Sequence, residues 1–304
     1  TAGVIEVPKG SRPEGPVEGV YYVDTGDCEL IADQDNSNGW LLKINGVMSS
    51  HIDLADPLFL DFEYMRWMAA LIESRWPPQA GKSGARVVPP AASGTQKLRG
   101  LHLGGGACSL ARYFHAAYPD ARQVVVELDG KLAEYVRGWF DLPKAPFLRL
   151  RVGEAREVTE TLTPDSRDFI IRDVFAGSLT PRPLTTAEFN DHIQRVLAPG
   201  GIYVVNSGDA PDLKNAREDA ATIAAVTQSR ALPPYAATIA LATAMQESTL
   251  RNITAPVDHD SLGRFQQRVI SYTAAVAADP VKAHGAFLHR LFANPNWTTR
   301  PRTA

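Results

Sequence analysis

Cysteine is nearly absent from the 304-residue chain: Cys28 and Cys108 are the only two, far apart and in no metal-like spacing. That excludes a disulfide framework and a cysteine-based zinc site. Long apolar runs are missing as well, and no charged-then-apolar stretch opens the sequence, so neither a membrane span nor a signal peptide is read. Blocks of like charge are also absent. Against 34 acidic residues stand 31 basic ones, for a net charge of −3, which speaks against a nucleic-acid arm or a membrane-binding patch and makes a small molecule the default partner. With 44% hydrophobic residues the chain can bury a sizeable core in two or three units. The expectation is a soluble, cytoplasmic protein that uses no metal.

What is present centres on residues 101–129. A short apolar strand, Leu101-His102-Leu103, runs into Gly104-Gly105-Gly106, then a helix-forming stretch, then Val124-Val125-Val126-Glu127-Leu128-Asp129. That is the order of a nucleotide-binding βαβ unit. The glycines let backbone approach a ligand where a Cβ would collide, and Glu127 is placed to accept hydrogen bonds from ribose hydroxyls. The run from Gly104 to Ser109 lacks the later glycine of a dinucleotide fingerprint. A single nucleoside therefore fits better than a dinucleotide.

Around this centre the pattern changes twice. Before it, β-favouring runs at 20–23, 29–32 and 40–44 alternate with turn signals such as Asp24-Thr25-Gly26 and Asn45-Gly46, which predicts a small antiparallel sheet of hairpins within 1–60. Residues 61–74 carry Phe62, Met65, Met68, Leu71 and Ile72 at helical spacing, and 77–96 is a Pro/Gly-rich linker. After it, strands at 148–152, 169–171 and 202–205 alternate with helical stretches. One of these opens on a capping box, Thr185 with Glu188, and stops at Pro199-Gly200-Gly201; another covers 212–226. Strands alternating with helices predict a parallel sheet over 61–228, with ligands at the carboxyl ends of its strands. Glu154 and Ala155 follow the third strand, where the next edge of a nucleoside would lie. Asp173 follows the fourth, as a general base or an anchor for a cation, and Asn206-Ser207 follow the fifth. Asp129 and Asp168 read as capping or solvated residues.

Six segments, taken in order, resemble the spermidine synthase (polyamine aminopropyltransferase) family. They are Leu41-Leu42-Lys43-Ile44-Asn45-Gly46, Gly104-Gly105-Gly106, Val126-Glu127-Leu128-Asp129, Gly153-Glu154, Asp168-Phe169-Ile170-Ile171-Arg172-Asp173 and Leu197-Ala198-Pro199-Gly200-Gly201. The resemblance spans about 20–226. It implies a small N-terminal antiparallel β-domain on a Rossmann-like parallel sheet of the S-adenosylmethionine-methyltransferase type, usually a dimer or tetramer, here expected as a homodimer. It further implies decarboxylated S-adenosylmethionine as aminopropyl donor and an amine acceptor, with Glu127 toward ribose, Glu154 toward adenine and Asp173 as base.

The chain departs from that pattern at three places. Ala107 stands where the family has Asp after the glycines, Ala176 where it has a second Asp beyond the catalytic one, and Ser49 where it has Gln. Those groups hold the donor amine and a diamine acceptor. Each charge-assisted contact is worth about 1.5–3 kcal/mol, so losing them costs diamine affinity on the order of a thousandfold. With Ala107, the carboxylate of intact S-adenosylmethionine meets no like charge, which makes methyl transfer on the same fold the first alternative. A non-catalytic nucleoside-binding or assembly protein is the second.

The last quarter, 229–304, reads as mainly helical. Residues 236–250 favour helix by composition, and with Ser261-Leu262-Gly263-Arg264-Phe265-Gln266 they resemble a stretch of lysozyme-like lytic glycosidases. That second, local resemblance implies Glu247 as a general acid. The alternative is a helix or added edge strands packed on the sheet.

Overall fold

A computed structural model describes residues 4–5, 15–78, 97–177, 179–207, 214–229, 237–239, 261–262 and 267–268. Contacts divide the chain into two units, Thr1–Gly208 with Thr222–Ala240, and Asp209–Ala221 with Leu241–Ala304.

The first unit begins with a five-stranded sheet in sequence order: β1 (Val4–Ile5), β2 (Gly19–Val23), β3 (Gly26–Ala32), β4 (Gly39–Ile44) and β5 (Val47–Asp53). Strands β2 to β5 are antiparallel hairpins, while β1, which no sequence signal announced, pairs parallel to β2. Period-two alternation sets the buried face: Tyr21 and Val23 point inward and Tyr22 outward. Asn45 and Gly46 join β4 to β5 with φ of 50° and 75°, the left-handed pair that a two-residue hairpin turn requires. Helix α1 (Glu63–Arg75) follows and buries Met65, Met68, Ala69 and Ile72.

The second sheet is built from β6 (Arg99–Leu103), α2 (Ser109–Ala117), β7 (Arg122–Glu127), α3 (Gly130–Trp139), β8 (Leu148–Val152), α4 (Ala155–Glu160), β9 (Arg167–Arg172), α5 (Ala187–Val196), β10 (Leu197–Val205), α6 (Lys214–Ser229) and β11 (Ala237–Ile239). Its strand order is β11-β10-β9-β6-β7-β8, and every neighbouring pair is parallel. Apolar residues fill both faces, as a sheet covered on two sides demands. Phe169 and Ile171 of β9 enter a cluster with Met68 of α1 and Phe114 of α2, while Ile170 between them joins Phe189 and Ile193 of α5. The chain leaves β6 toward β7 on one side and later returns to β9 on the other. The carboxyl ends of β6 and β9 are thus the switch point at which such sheets bind ligands.

Three expectations are corrected. The cap of α5 is Thr186, whose hydroxyl accepts from Phe189 N at 3.2 Å; Thr185 instead closes the preceding 3-10 turn on the Arg182 carbonyl. The Pro199-Gly200-Gly201 stretch does not simply end the helix but lies inside β10, where the register to β9 shifts between Leu197 and Ile202. Pro199 has no N–H to give the ladder, and Gly200 takes φ of 76°, so these residues bulge out. Residues 237–239, read as the start of a helix, are strand β11 against β10, with Tyr203 opposite Ala237. The open edge of β10 outweighs alanine's helical preference there. The linker at 79–96 and residues 240–250, Glu247 included, lie outside the described residues. Of the second unit's glycosidase-like stretch, β12 (Ser261–Leu262) and β13 (Gln267–Arg268) form a short antiparallel pair.

One carboxylate ties the hairpin sheet to the parallel one. Asp129 is 1% exposed and caps α3 by accepting from Leu132 N at 2.8 Å, while it also accepts from Thr25 N at 2.7 Å and Thr25 Oγ1 at 2.8 Å. It is a capping residue, and a buried one. Asp168 accepts from the Arg99 backbone and guanidinium at the opposite end of the sheet. Asp129→Ala should cost about 2–4 kcal/mol, a lost cap plus charge-assisted bonds. Urea unfolding checks this, and a midpoint unchanged from wild type would contradict the tie.

Candidate nucleoside site

The parallel ladder continues past the strand ends and lines up the loops above them. Gly104 N donates to the Val126 carbonyl at 3.0 Å, Asp173 N to Leu103 at 2.9 Å, Asn206 N to Arg172 at 2.8 Å and Gly153 N to Glu127 at 2.9 Å. Gly104, Asp173, Asn206 and Gly153 therefore stand in a row along the carboxyl edge of the sheet.

At Gly104 the backbone leaves β6 with φ of 92°, and a Cβ there would lie 2.1 Å from the Asp173 carbonyl oxygen. No side chain fits. Gly105 and Gly106 turn the loop so that their N–H groups point at Glu127 Oε2, at 3.0 and 3.3 Å, while Glu127 Oε1 accepts from Asp129 N at 3.0 Å. Burial pushes the Glu127 carboxyl above the usual carboxylate range, and the amides of Asp129, Gly105 and Gly106 pull it back toward the ionised form. A Cβ on Gly106 would meet Ser49 Oγ and Ser50 Oγ, each at 2.9 Å, and Ala107 N donates to Ser50 Oγ at 3.0 Å. Strand β5 thus clasps the loop from the hairpin side. Cys108 caps α2 in the left-handed region, φ 61°, with its thiol pushed up to about 12 by burial, so it is inert.

Glu154 lies beyond β8 and caps α4, accepting from Glu157 N at 2.9 Å; Ala155 is the first residue of that helix and is buried. Two large apolar side chains beside these acids stay open to solvent, Leu128 at 61% and Val152 at 54%. An acid at each of two neighbouring strand ends, flanked by exposed apolar surface, offers both hydrogen bonds and a stacking face.

Asp173 is the reactive-looking group. Its Oδ2 accepts from the Tyr64 hydroxyl at 3.0 Å and its Oδ1 from Asn206 Nδ2 at 2.9 Å. Burial raises its pKa while Asn206 and Tyr64 lower it; burial and the facing carboxylate push the Tyr64 phenol well above its own usual value, so it stays a donor. Tyr64 gave no sequence signal, because a residue of α1 meets the end of β9 only in the folded chain. Asn206 was placed at a strand end without a role. Behind the loop, Met65, His102, Gly104, Ser109 and Asp173 border a small cavity. His102 Nε2 donates to Gln123 Oε1 at 2.8 Å, and burial lowers its pKa to about 4, so it is neutral. Among the described residues no group of three or more His, Cys, Asp or Glu is arranged to hold a metal, and no helix is long and apolar enough to cross a membrane.

Sheet order, glycine loop and strand-end acids define a Rossmann-like α/β protein of the S-adenosylmethionine-methyltransferase type, with an antiparallel sheet at its N-terminus. A probable spermidine synthase from Corynebacterium glutamicum, known from a crystal structure, is 47% identical; the match covers 69% of this chain and 71% of that one, with a TM-score of 0.61. A polyamine aminopropyltransferase from Chromobacterium violaceum is 32% identical over 188 residues, 59% of this chain and 62% of that protein, so the chain spans less than two thirds of this curated relative. An eEF1A lysine and N-terminal methyltransferase homolog from Drosophila melanogaster is 25% identical over 111 residues, 34% of this chain and 16% of that protein. No protein-family model matches. The chain belongs to the spermidine synthase family.

Asp173 should titrate above the ordinary aspartate value of about 3.9. In Tyr64→Phe its midpoint should rise further, since a bond to the ionised form is lost; carboxyl-carbon NMR reads both, and an unshifted midpoint in the variant would contradict the geometry. Gly104→Ala should lose about 2–4 kcal/mol, from strain at positive φ and a backbone collision, measurable by thermal unfolding.

Proposed function

We propose that the chain transfers an aminopropyl group from decarboxylated S-adenosylmethionine to an amine acceptor. The carrying observation is Asp173: a half-buried carboxylate at the switch point of the sheet, held by two neutral donors and next to the glycine loop. The cradle suits a nucleoside, because Cβ atoms at Gly105 and Gly106 would fill the space beside Glu127 and the Ser49 and Ser50 hydroxyls. In this reading Gly104, Gly105 and Gly106 let the donor approach the backbone, Glu127 takes the ribose hydroxyls, and Glu154 with Ala155 faces the adenine. Leu128 and Val152 give the base its apolar face. The donor supplies an electrophilic carbon on a sulfonium. Asp173 accepts a proton from the incoming ammonium, so that the amine is nucleophilic, and Tyr64 and Asn206 keep the carboxylate oriented. A raised pKa suits that task.

A second reading, methyl transfer from intact S-adenosylmethionine, is favoured by Ala107. Its methyl is fully buried in a cluster with Cys28, Leu30 and Val125, so no acid stands after the glycines to repel a donor carboxylate. A third proposal concerns assembly. A hairpin sheet is marginal alone, and Tyr22, Val47 and Met48 on it are exposed, which supports a homodimer; a cytoplasmic location is proposed with it. The division at residues 60 and 228 belongs to the same proposal.

Calorimetry with decarboxylated S-adenosylmethionine, S-adenosylmethionine and methylthioadenosine separates the readings. Preference for the decarboxylated donor supports aminopropyl transfer, and preference for the intact one moves the assignment to methylation. Glu127→Ala should weaken every nucleoside at least about tenfold, the worth of a charge-assisted bond. Asp173→Asn should keep nucleoside binding and lower turnover by about 10²–10⁴. No nucleoside binding by the wild type would end the proposal.

A further inference from the structure

We propose that His51 is a positioning residue for Asp173: its ring fixes the entry to α1, and with it the Tyr64 hydroxyl, on the strand that also holds the glycine loop. The inference deepens the reading in which Asp173 is the reacting group, and rests on it for the turnover it forecasts. It begins with an irregularity in β5. The pairing to β4 passes from Leu42 opposite Ser50 to Lys43 opposite Met48, so Ser49 is an extra residue in the strand. Such a bulge re-aims the side chains around it. Adjacent residues of a regular strand face opposite ways, yet the Ser49 and Ser50 hydroxyls both stand 2.9 Å from the point where a Cβ on Gly106 would lie. Past the bulge the alternation resumes. Ser50 is buried against the loop, accepting from Ala107 N at 3.0 Å, and His51 turns to the other face.

There each ring nitrogen of His51 meets a carboxylate. Nε2 lies 3.1 Å from Asp33 Oδ2, in the connection between β3 and β4, and Nδ1 lies 2.9 Å from Asp61 Oδ2, just before α1. The ring also stands edge-on to Phe59, with centroids 5.1 Å apart. His51 is thereby a bridge from β5 to residues 59–61. From there to Asp173 the path is short. Arg66 donates to the Leu60 carbonyl at 2.8 Å and to the Asp61 carbonyl, which closes the approach onto the helix's own first turn. Tyr64 in that turn donates to Asp173 Oδ2 at 3.0 Å. Further along α1, Met65, Met68, Ala69 and Ile72 are sunk in the core, so the helix stays in place without His51 while its first turn loses a tether. Moving that turn by about half an ångström takes the Tyr64 hydroxyl out of bonding range. Two consecutive residues of one strand therefore set the loop that would hold a nucleoside and the donor that orients the base. Misplacing a catalytic group by about 1 Å costs on the order of 10²-fold in rate.

Carboxyl-carbon NMR of Asp173 in the full chain tests this. His51→Ala should raise the Asp173 midpoint by about 0.5 unit or more, in the same direction as Tyr64→Phe, because the ionised carboxyl loses a donor. Asp61→Ala, at a side chain 49% exposed, cuts the same tether without altering the strand and should raise the midpoint too; as a pure charge effect, removing an acid would lower it. In a Tyr64→Phe background neither substitution should raise the midpoint further, since the contact they act through is gone. A midpoint that stays put or falls in Asp61→Ala overturns the inference, and so does a His51→Ala rise that persists in the Tyr64→Phe background. Where His51→Ala does not fold, Asp61→Ala decides alone. With decarboxylated S-adenosylmethionine and 1,4-diaminobutane, kcat for methylthioadenosine release should fall about tenfold in both variants while methylthioadenosine affinity by calorimetry is unchanged. If the midpoints move as forecast and the wild type releases no methylthioadenosine, the positioning stands and the transfer reading falls.

Discussion

The carboxyl edge of the parallel sheet depends on how closely two backbones meet. Gly104 passes so near the Asp173 carbonyl that a methyl group there would sit at 2.1 Å. That approach lets the loop after β6 and the end of β9 share one row of ladder hydrogen bonds. From it follow the direction of the Gly105 and Gly106 amides, the seating of Glu127 beneath them, and the place of Asp173 beside the loop. A larger residue at 104 would separate the two halves of the candidate site before any ligand arrived.

Two half-buried carboxylates then face the same cost and meet it differently. Both Glu127 and Asp173 are pushed toward the protonated form by burial. Glu127 is answered by three backbone amides, which cannot move without moving the loop, so it is a fixed acceptor. Asp173 is answered by two side chains, a phenol from α1 and a carboxamide from the end of β10. Side-chain donors can yield when the charge they face is neutralised. The rigid acid suits holding a ligand, and the adaptable one suits holding a proton.

Much of this was legible in the sequence because it is written locally. Period-two burial in β2, the Asn45-Gly46 turn and the Gly104-Gly105-Gly106 loop each carry their geometry in adjacent residues. What was not legible arises between distant residues. Tyr64 reaches Asp173 across 109 positions, and Asp129 looks like an ordinary helix cap until Thr25 is found beneath it, 104 positions away. Residues 237–239 read as helix by composition because the waiting edge of β10 is a tertiary fact. The error at Thr185 is of another kind: Thr185 and Thr186 both suit a cap, and only the bond to Phe189 N separates them.

Membership of the family fixes the scaffold more tightly than it fixes the reactants. Ala107 is not an acid site left vacant; it is fully buried among Cys108, Ala111 and Val125, so the loop has been absorbed into the hydrophobic cluster beneath it. Restoring an acid there would place a charge in apolar surroundings and require repacking. Ala176 is different, since it lies exposed on a turn closed by backbone hydrogen bonds with Leu179. An acid at 176 costs the fold little, whereas one at 107 would be resisted by the core. The turn after β9 is therefore free to vary on this scaffold in a way that the glycine loop is not.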